Sequence, residues 1–531
     1  MKRRAYILIF TFLFVLSGIG GRLTYLATRT RYSRVATQQS LYTLTVDMPR
    51  GTIYDRNGSP LTNRNVVYKY TATATPQIIS QIHQQLKGKQ LSNALEPLSQ
   101  RKPAIITTLR NITLKGALRF PCADPLPLYQ PAVHLIGYLD TAGEQGLSGL
   151  QKEFQAALSC KTPLTVQYAC DAVGGALNGV EPIVNRQEAR NMGGVLTTLD
   201  LELQQIAKEA FPPNKKGAVV IQGIGGGEVL AFYSAPQFSP KQIDAALHNP
   251  DLPLLNRGLT LYNVGSVFKL CVAAAALEAG IPTSRTYTCT GKIDCSHTFH
   301  CHKKEGHGTL TMSQALAQSC NTYFINLAQA VGGESLDQMA RLMRLGEPIS
   351  LTNTLTAQAG QLPVSEELIR SSAELANFAI GQGVLMATPL HLNGIVNTIA
   401  NGGVYFPPYL VRGILHQDQT TTPFPAPNGQ RVLSTQTAHT LLQMMTTVIT
   451  EGTGQGAQLQ TVTAAGKTAT AQTGMVHKNK KPINQGWFIG CCPAENPKYA
   501  ITVLVEDAHS GGQDAAPVFG AICNQLFRNE S

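Results

Sequence analysis

The chain has 531 residues, 43% hydrophobic and only 14% charged, with a net charge of +11. That length holds two or three domains and a sizeable core. The balance is basic, but no basic helix or Lys/Arg run threaded with aromatics is present, which excludes nucleic acid as a partner and leaves an anionic membrane or wall surface.

Lys2, Arg3 and Arg4 precede an uncharged, mostly apolar run from Ala5 to Gly21. Leu23, Tyr25 and Leu26 extend it if Arg22 snorkels. The run is long for a cleaved leader and no small-x-small cleavage site follows, so residues 5–27 read as a transmembrane anchor behind a cytoplasmic tail of residues 1–4. The leading charges put the N-terminus in the cytoplasm, although Arg22, Arg29, Arg31 and Arg34 on the far side blur that rule. The expected protein is therefore single-pass in the cell membrane, with nearly all of its chain extracytoplasmic.

Residues from about 28 to 47 read as a polar stalk. A strand follows over 48–61, interrupted by the Asn57-Gly58 turn. Up to about residue 185 short strands alternate with polar helical pieces, including 77–100. Residues 28–185 are thus assigned to an elongated N-terminal α+β module, a pedestal or dimerisation-like unit, and 186–531 to a second domain. There, a strand over 194–200 leads into a helix over 201–210. Two β-rich runs over 217–222 and 227–233 are joined by a glycine-rich turn, which cannot be a phosphate cradle because no helix follows it.

The stretch Gly265-Ser266-Val267-Phe268-Lys269 opens a helix, apolar all round, that stops at Gly280 before Pro282. Ser266 and Lys269 stand three apart and share a face, which brings an amine to a hydroxyl. A buried lysine loses its proton easily and can take one from serine. Backbone N–H groups at the helix start can stabilise an oxyanion. Cys271, inside this helix, reads as a small apolar filler.

Eleven cysteines in an exported chain cannot all pair with one another. Cys289, Cys295, His297, His300, Cys301, His302, His307 and Cys320 crowd one short segment, and three explanations stand open. They are unpaired loop residues with a buried thiol at Cys320, or a zinc site of Cys289, Cys301, His307 and Cys320, or a Cys301–Cys320 disulfide. Closing that loop would stabilise the domain by about 3 kcal/mol.

Ser319-Cys320-Asn321 lies in a helical-looking stretch over 310–328. Gly466-Lys467-Thr468-Ala469-Thr470 lies in a strand-like run, followed by β segments over 486–490 and 499–505 and a helix over 516–527. Outer β segments enclosing a helical middle imply an α/β domain, an antiparallel sheet with helices on its faces.

Ser-x-x-Lys, Ser-x-Asn and Lys-Thr-x in this order, with Arg50 to Gly58, His134 to Tyr138, Gly381-Gln382-Gly383 and Gly452-Thr453-Gly454, resemble the class B penicillin-binding proteins. These are membrane-anchored transpeptidases of peptidoglycan. The resemblance implies a serine β-lactamase-like transpeptidase domain with Ser266 as nucleophile and Lys269 as base. It further implies Ser319 as proton relay, Asn321 on the substrate amide, Lys467 as an electropositive support, and Thr468 and Thr470 on the terminal carboxylate. The N–H groups of Ser266 and Thr470 would form the oxyanion hole. Implied partners are stem peptides ending in D-Ala-D-Ala, β-lactam antibiotics and a membrane glycosyltransferase, and the reaction needs no cofactor. A D,D-carboxypeptidase, a β-lactamase or β-lactam sensor, and an impaired scaffold share parts of this pattern. Val264 stands where the family has proline. Ala469 replaces the family's glycine and is expected to crowd the substrate or rotate the strand.

Overall fold

The computed structural model describes residues 2–28, 40–160, 162–185, 192–460 and 462–528. Most of the expected stalk, 29–39, lies outside them. The chain forms two compact units, one of Met1–Arg50, Asn63–Asp124 and Cys160–Met192, the other of Gly51–Thr62, Pro125–Ser159 and Gly193–Ser531.

In the first unit, helix α1 (Lys2–Thr28) carries exposed apolar residues along its length. It rises about 40 Å, enough to cross a bilayer core of about 30 Å. Two antiparallel three-stranded sheets follow. One orders β1 (Leu41–Asp47), β5 (Leu164–Ala169) and β6 (Ile183–Asn185) side by side. The other places β2 (Val66–Ala72) between β3 (Ala104–Thr108) and β4 (Leu118–Ala123). Lys69 Nζ meets Asp47 Oδ1 at 2.8 Å.

A domain boundary at 185/186 does not describe these units. Thr52–Tyr54 pairs in parallel with Gly194–Leu196, and Gly51 N–H donates to Leu158 O. Ile53, Leu61, Leu135, Ile136, Leu150 and Leu158 share one apolar cluster with Val195, Leu199, Val220 and Phe232. Both segments, read as parts of the N-terminal module, are therefore built into the second unit. Asp55 reinforces this by accepting from Leu201 N–H at 3.2 Å.

The centre of the second unit is a five-stranded antiparallel sheet. Its strands are β7 (Gly217–Gly223), β8 (Val229–Ala235), β9 (Ala465–Val476), β10 (Pro482–Cys492) and β11 (Tyr499–Glu506), in the order β8-β7-β11-β10-β9. Because side chains alternate across a strand, each strand feeds two cores. Trp487, Ile489, Ala500 and Leu504 face one cluster with Val272, Phe324 and Leu327, and Phe488, Ile501 and Val503 face the other. On that second face lie α2 (Leu201–Ala210), capped by the Asp200 carboxylate, and the C-terminal helix α6 (Ala516–Leu526). The expected antiparallel sheet with helices on its faces is the observed one.

Candidate active site

The turn that carries Ser266 is held by two glycines. Gly265 has φ +63°, and its N–H donates to Gly381 O at 2.8 Å. A Cβ on Gly381, itself at φ +74°, would stand 1.9 Å from the Gly265 oxygen, so this approach requires glycine. The chain then runs through a 3-10 turn, Gly265–Phe268, into α3 (Lys269–Glu278). Ser266 is left half-buried at the turn, while Lys269 is fully buried.

The expected helical stretch over 310–328 is broken in two. α4 (Met312–Ala317) opens on a Thr311–Gln314 capping box, and α5 (Asn321–Val331) starts after Cys320. Between them Ser319 adopts φ +53°, a left-handed conformation that costs a serine about 1 kcal/mol. Hydrogen bonds from Ser319 N–H to Leu316 O and from Cys320 N–H to Ala315 O hold it there. The break delivers three acceptors to one amine. Lys269 Nζ lies 2.7 Å from Ser319 O, 3.3 Å from Ser319 Oγ and 2.7 Å from Asn321 Oδ1.

Burial lowers the Lys269 pKa from 10.5 to about 8, against the opposing pull of Cys320 and Cys301. A neutral amine has two N–H donors, and the two shortest contacts, Ser319 O and Asn321 Oδ1, use both. Its lone pair is then free to accept from a hydroxyl. Ser266 Oγ has no hydrogen-bond partner among the described residues. The structure thus joins Lys269 to Ser319 and Asn321 and carries Ser266 on the adjoining turn without a bond to the amine.

Lys467, on β9, is also fully buried, and its Nζ donates to Thr468 O at 2.9 Å. Burial, and then the neighbouring Lys269 charge, push its pKa well below that of an ordinary lysine. Two amines this close cannot both hold a proton cheaply. Thr470 Oγ1 accepts from Gly511 N–H at 3.1 Å. Thr468 Oγ1 stands 2.6 Å from Thr453 Oγ1. Because β9 is an edge strand, its outer row of backbone groups is available to an extended peptide.

Ala469 does not face that edge groove. It is 3% exposed, on the same face as Lys467 and Ala471, and packs in the core with Trp487. A Cβ on Gly265 would lie 3.4 Å from the Ala469 methyl. The methyl fills space beside the Ser266 turn, which corrects the expectation that it crowds the substrate.

The cysteine-rich segment folds as two small hairpins, Tyr287–Cys289 with Gly308–Leu310 and Lys292–Cys295 with His297–His300. Gly306, at φ +80°, sits so close to Cys289 that a Cβ would meet its carbonyl oxygen at 2.1 Å. This crossing brings ligand atoms of Cys289, Cys301, His307 and Cys320 within 4.8 Å of one another. His307 Nδ1 is 3.6 Å from Cys289 Sγ and 3.5 Å from Cys301 Sγ. Cys301 and Cys320 are free thiols with sulfurs 4.0 Å apart. Cys301 is the more acidic of the two, its thiol lowered chiefly by the side-chain contact with Cys320. Cys295 instead accepts from Gln329 Nε2 at 3.1 Å, and His297, His300 and His302 are exposed. The segment is tied to the amine cluster, since Asn321 Nδ2 donates to His300 O at 3.4 Å.

The contributions of Gly381, Thr453 and Gly511 were not assigned from sequence. The signals for the first two were present as short glycine motifs, but nothing in the sequence says what those motifs touch.

Residues 217–524 match the penicillin-binding protein transpeptidase domain. The peptidoglycan D,D-transpeptidase MrdA of Acinetobacter baumannii is 27% identical over 88% of this chain and 80% of its own. The peptidoglycan D,D-transpeptidase PbpA of Mycolicibacterium smegmatis is 32% identical over 64% of this chain and 73% of its own. The crystal structure of penicillin-binding protein 3 of Mycobacterium tuberculosis with aztreonam superposes with a TM-score of 0.66, at 24% identity, over 92% of this chain and 97% of that one.

Proposed function

The chain belongs to the class B penicillin-binding proteins, and from that premise we propose how its site works as a serine peptidoglycan D,D-transpeptidase. One observation carries the reading: a buried amine of lowered pKa, Lys269, meets Ser319 and Asn321 beside the Ser266 turn. Lys269 takes the Ser266 proton as Oγ attacks the carbonyl of the penultimate D-alanine. The N–H groups of Ser266 and Thr470 hold the oxyanion. Ser319 passes a proton to the departing D-alanine nitrogen, and Asn321 holds the substrate amide. An amine from a second stem then displaces Ser266 from the ester. Thr468 and Thr470 take the terminal carboxylate, whose charge draws a proton onto Lys467 and makes that support electropositive when substrate is bound.

The reaction needs no cofactor. Zinc is assigned a supporting place at Cys289, Cys301, His307 and Cys320. A tetrahedral ion with bonds of about 2.3 Å to sulfur and 2.0 Å to nitrogen requires ligand spacings of about 3.5–3.8 Å. The His307 contacts of 3.5 and 3.6 Å match those spacings, and the Cys301–Cys320 pair at 4.0 Å, like the rest of the set within 4.8 Å, would close in slightly around the ion. Such an ion would clamp Cys320, and with it the Ser319–Asn321 turn, supplying folding stability and no chemistry. Purified protein is expected to hold one zinc per chain, and a chelator to lower its Tm by at least about 5 °C and slow acylation. Metal-free protein that responds to reductant and not to chelator would support the disulfide instead.

The N-terminal helix is proposed to anchor the chain with its N-terminus in the cytoplasm, and the first unit to engage a membrane glycosyltransferase. A pentapeptide ending in D-Ala-D-Ala, offered with an amine acceptor, is expected to yield free D-alanine and the new amide in equal amounts. D-alanine with only the hydrolysed tetrapeptide would support a carboxypeptidase. No D-alanine at all would support a scaffold.

A further inference from the structure

The two hydroxyls assigned to the substrate carboxylate are supported in matching ways. Thr470 Oγ1 accepts from Gly511 N–H, and an N–H can only donate, so the Thr470 proton is free to point elsewhere. Among the described residues Thr468 Oγ1 has one hydrogen-bond partner, Thr453 Oγ1 at 2.6 Å, where either oxygen can be the donor. Thr468 is 5% exposed, so bulk water does not readily orient its hydroxyl in place of Thr453.

Thr453 is itself held firmly. Its N–H donates to Ala317 O at 3.1 Å, and Gly454 N–H donates to Val448 O at 2.9 Å. A Cβ on Gly452 would stand 2.3 Å from Ala317 O, so the loop is pressed against the end of α4 as only glycine allows. The same helix end leads through Gln318 to Ser319. The Gly452-Thr453-Gly454 loop therefore spans the Ser319 turn and β9, and it sits in the reaction site without a role in the proton transfers.

We propose that Thr453 is a positioning residue for carboxylate recognition, donating its hydroxyl proton to Thr468 Oγ1 so that the Thr468 proton is left for the substrate's terminal carboxylate. Without that donor the Thr468 hydroxyl turns freely and presents its lone pairs to an anion part of the time. This inference rests on the assignment of Thr468 to the carboxylate, and its test separates the two.

The full-length chain in detergent is acylated with benzylpenicillin and, separately, with its carboxamide, and half-saturation is resolved from the maximal rate. Thr453→Val is expected to raise half-saturation for the carboxylate probe about tenfold, in keeping with a hydrogen bond to a charged group. Its maximal rate and its response to the carboxamide should stay within about twofold of wild type. Thr453→Ser, which keeps the hydroxyl, should restore capture, and thermal melts report whether each variant is folded. Capture by Thr453→Val equal to wild type, equal slowing with both probes, or failure of serine to rescue would each overturn the proposal. Thr468→Val is the control for the underlying reading. If it leaves carboxylate capture unchanged, both readings fall. If it weakens capture while Thr453→Val does not, only the role of Thr453 falls.

Discussion

Replacing Lys269 by methionine is expected to slow acylation of Ser266 by about 10²–10⁴-fold, the usual contribution of a positioned general base. Methionine keeps the length and apolar stem that the buried site requires while removing the nitrogen that Ser319 and Asn321 surround. The pH profile of the wild type supplies the companion test. The base is the neutral amine, so the acylation rate should rise with pH and level off above the Lys269 pKa of about 8. Burial is the reason that limb falls near 8. At pH 7 about one molecule in ten has a neutral Lys269, against roughly one in three thousand at the ordinary value of 10.5. A wild-type rate still climbing tenfold per unit above pH 9 would show that the amine is not lowered, and a fast Lys269→Met variant would show that it is not the base.

Much of this was legible from residues alone, for physical reasons that differ between elements. The helix expected over 201–210 is observed as Leu201–Ala210, with the Asp200 carboxylate as its cap. The central strands are apolar on both faces, as a sheet buried between two helical layers must be. The cysteine and histidine set was named from ligand chemistry, and its four members converge. What the sequence hid depends on tertiary contact. No local signal marks a serine at φ +53°, so the break that presents Ser319 and Asn321 was read as continuous helix. Residues 51–62 and 125–159 join the second unit through pairings with residues far along the chain. The direction of the Ala469 methyl depends on strand register, because a shift of one residue exchanges the faces.

Ser266 is the centre of the account, since every other assigned residue acts on its oxygen or on the group it attacks. Replacing it by alanine removes one half-buried hydroxyl that has no hydrogen-bond partner among the described residues. The fold should therefore survive, with a change in stability within about 0.5 kcal/mol. The decisive measurement is labelling of the purified full-length chain by a tagged penicillin, followed by peptide mapping of the adduct and a thermal melt of each protein. The account predicts a single adduct on Ser266 in the wild type and none on a Ser266→Ala variant that melts as the wild type does. Label on another serine, or label persisting on the folded variant, would contradict it.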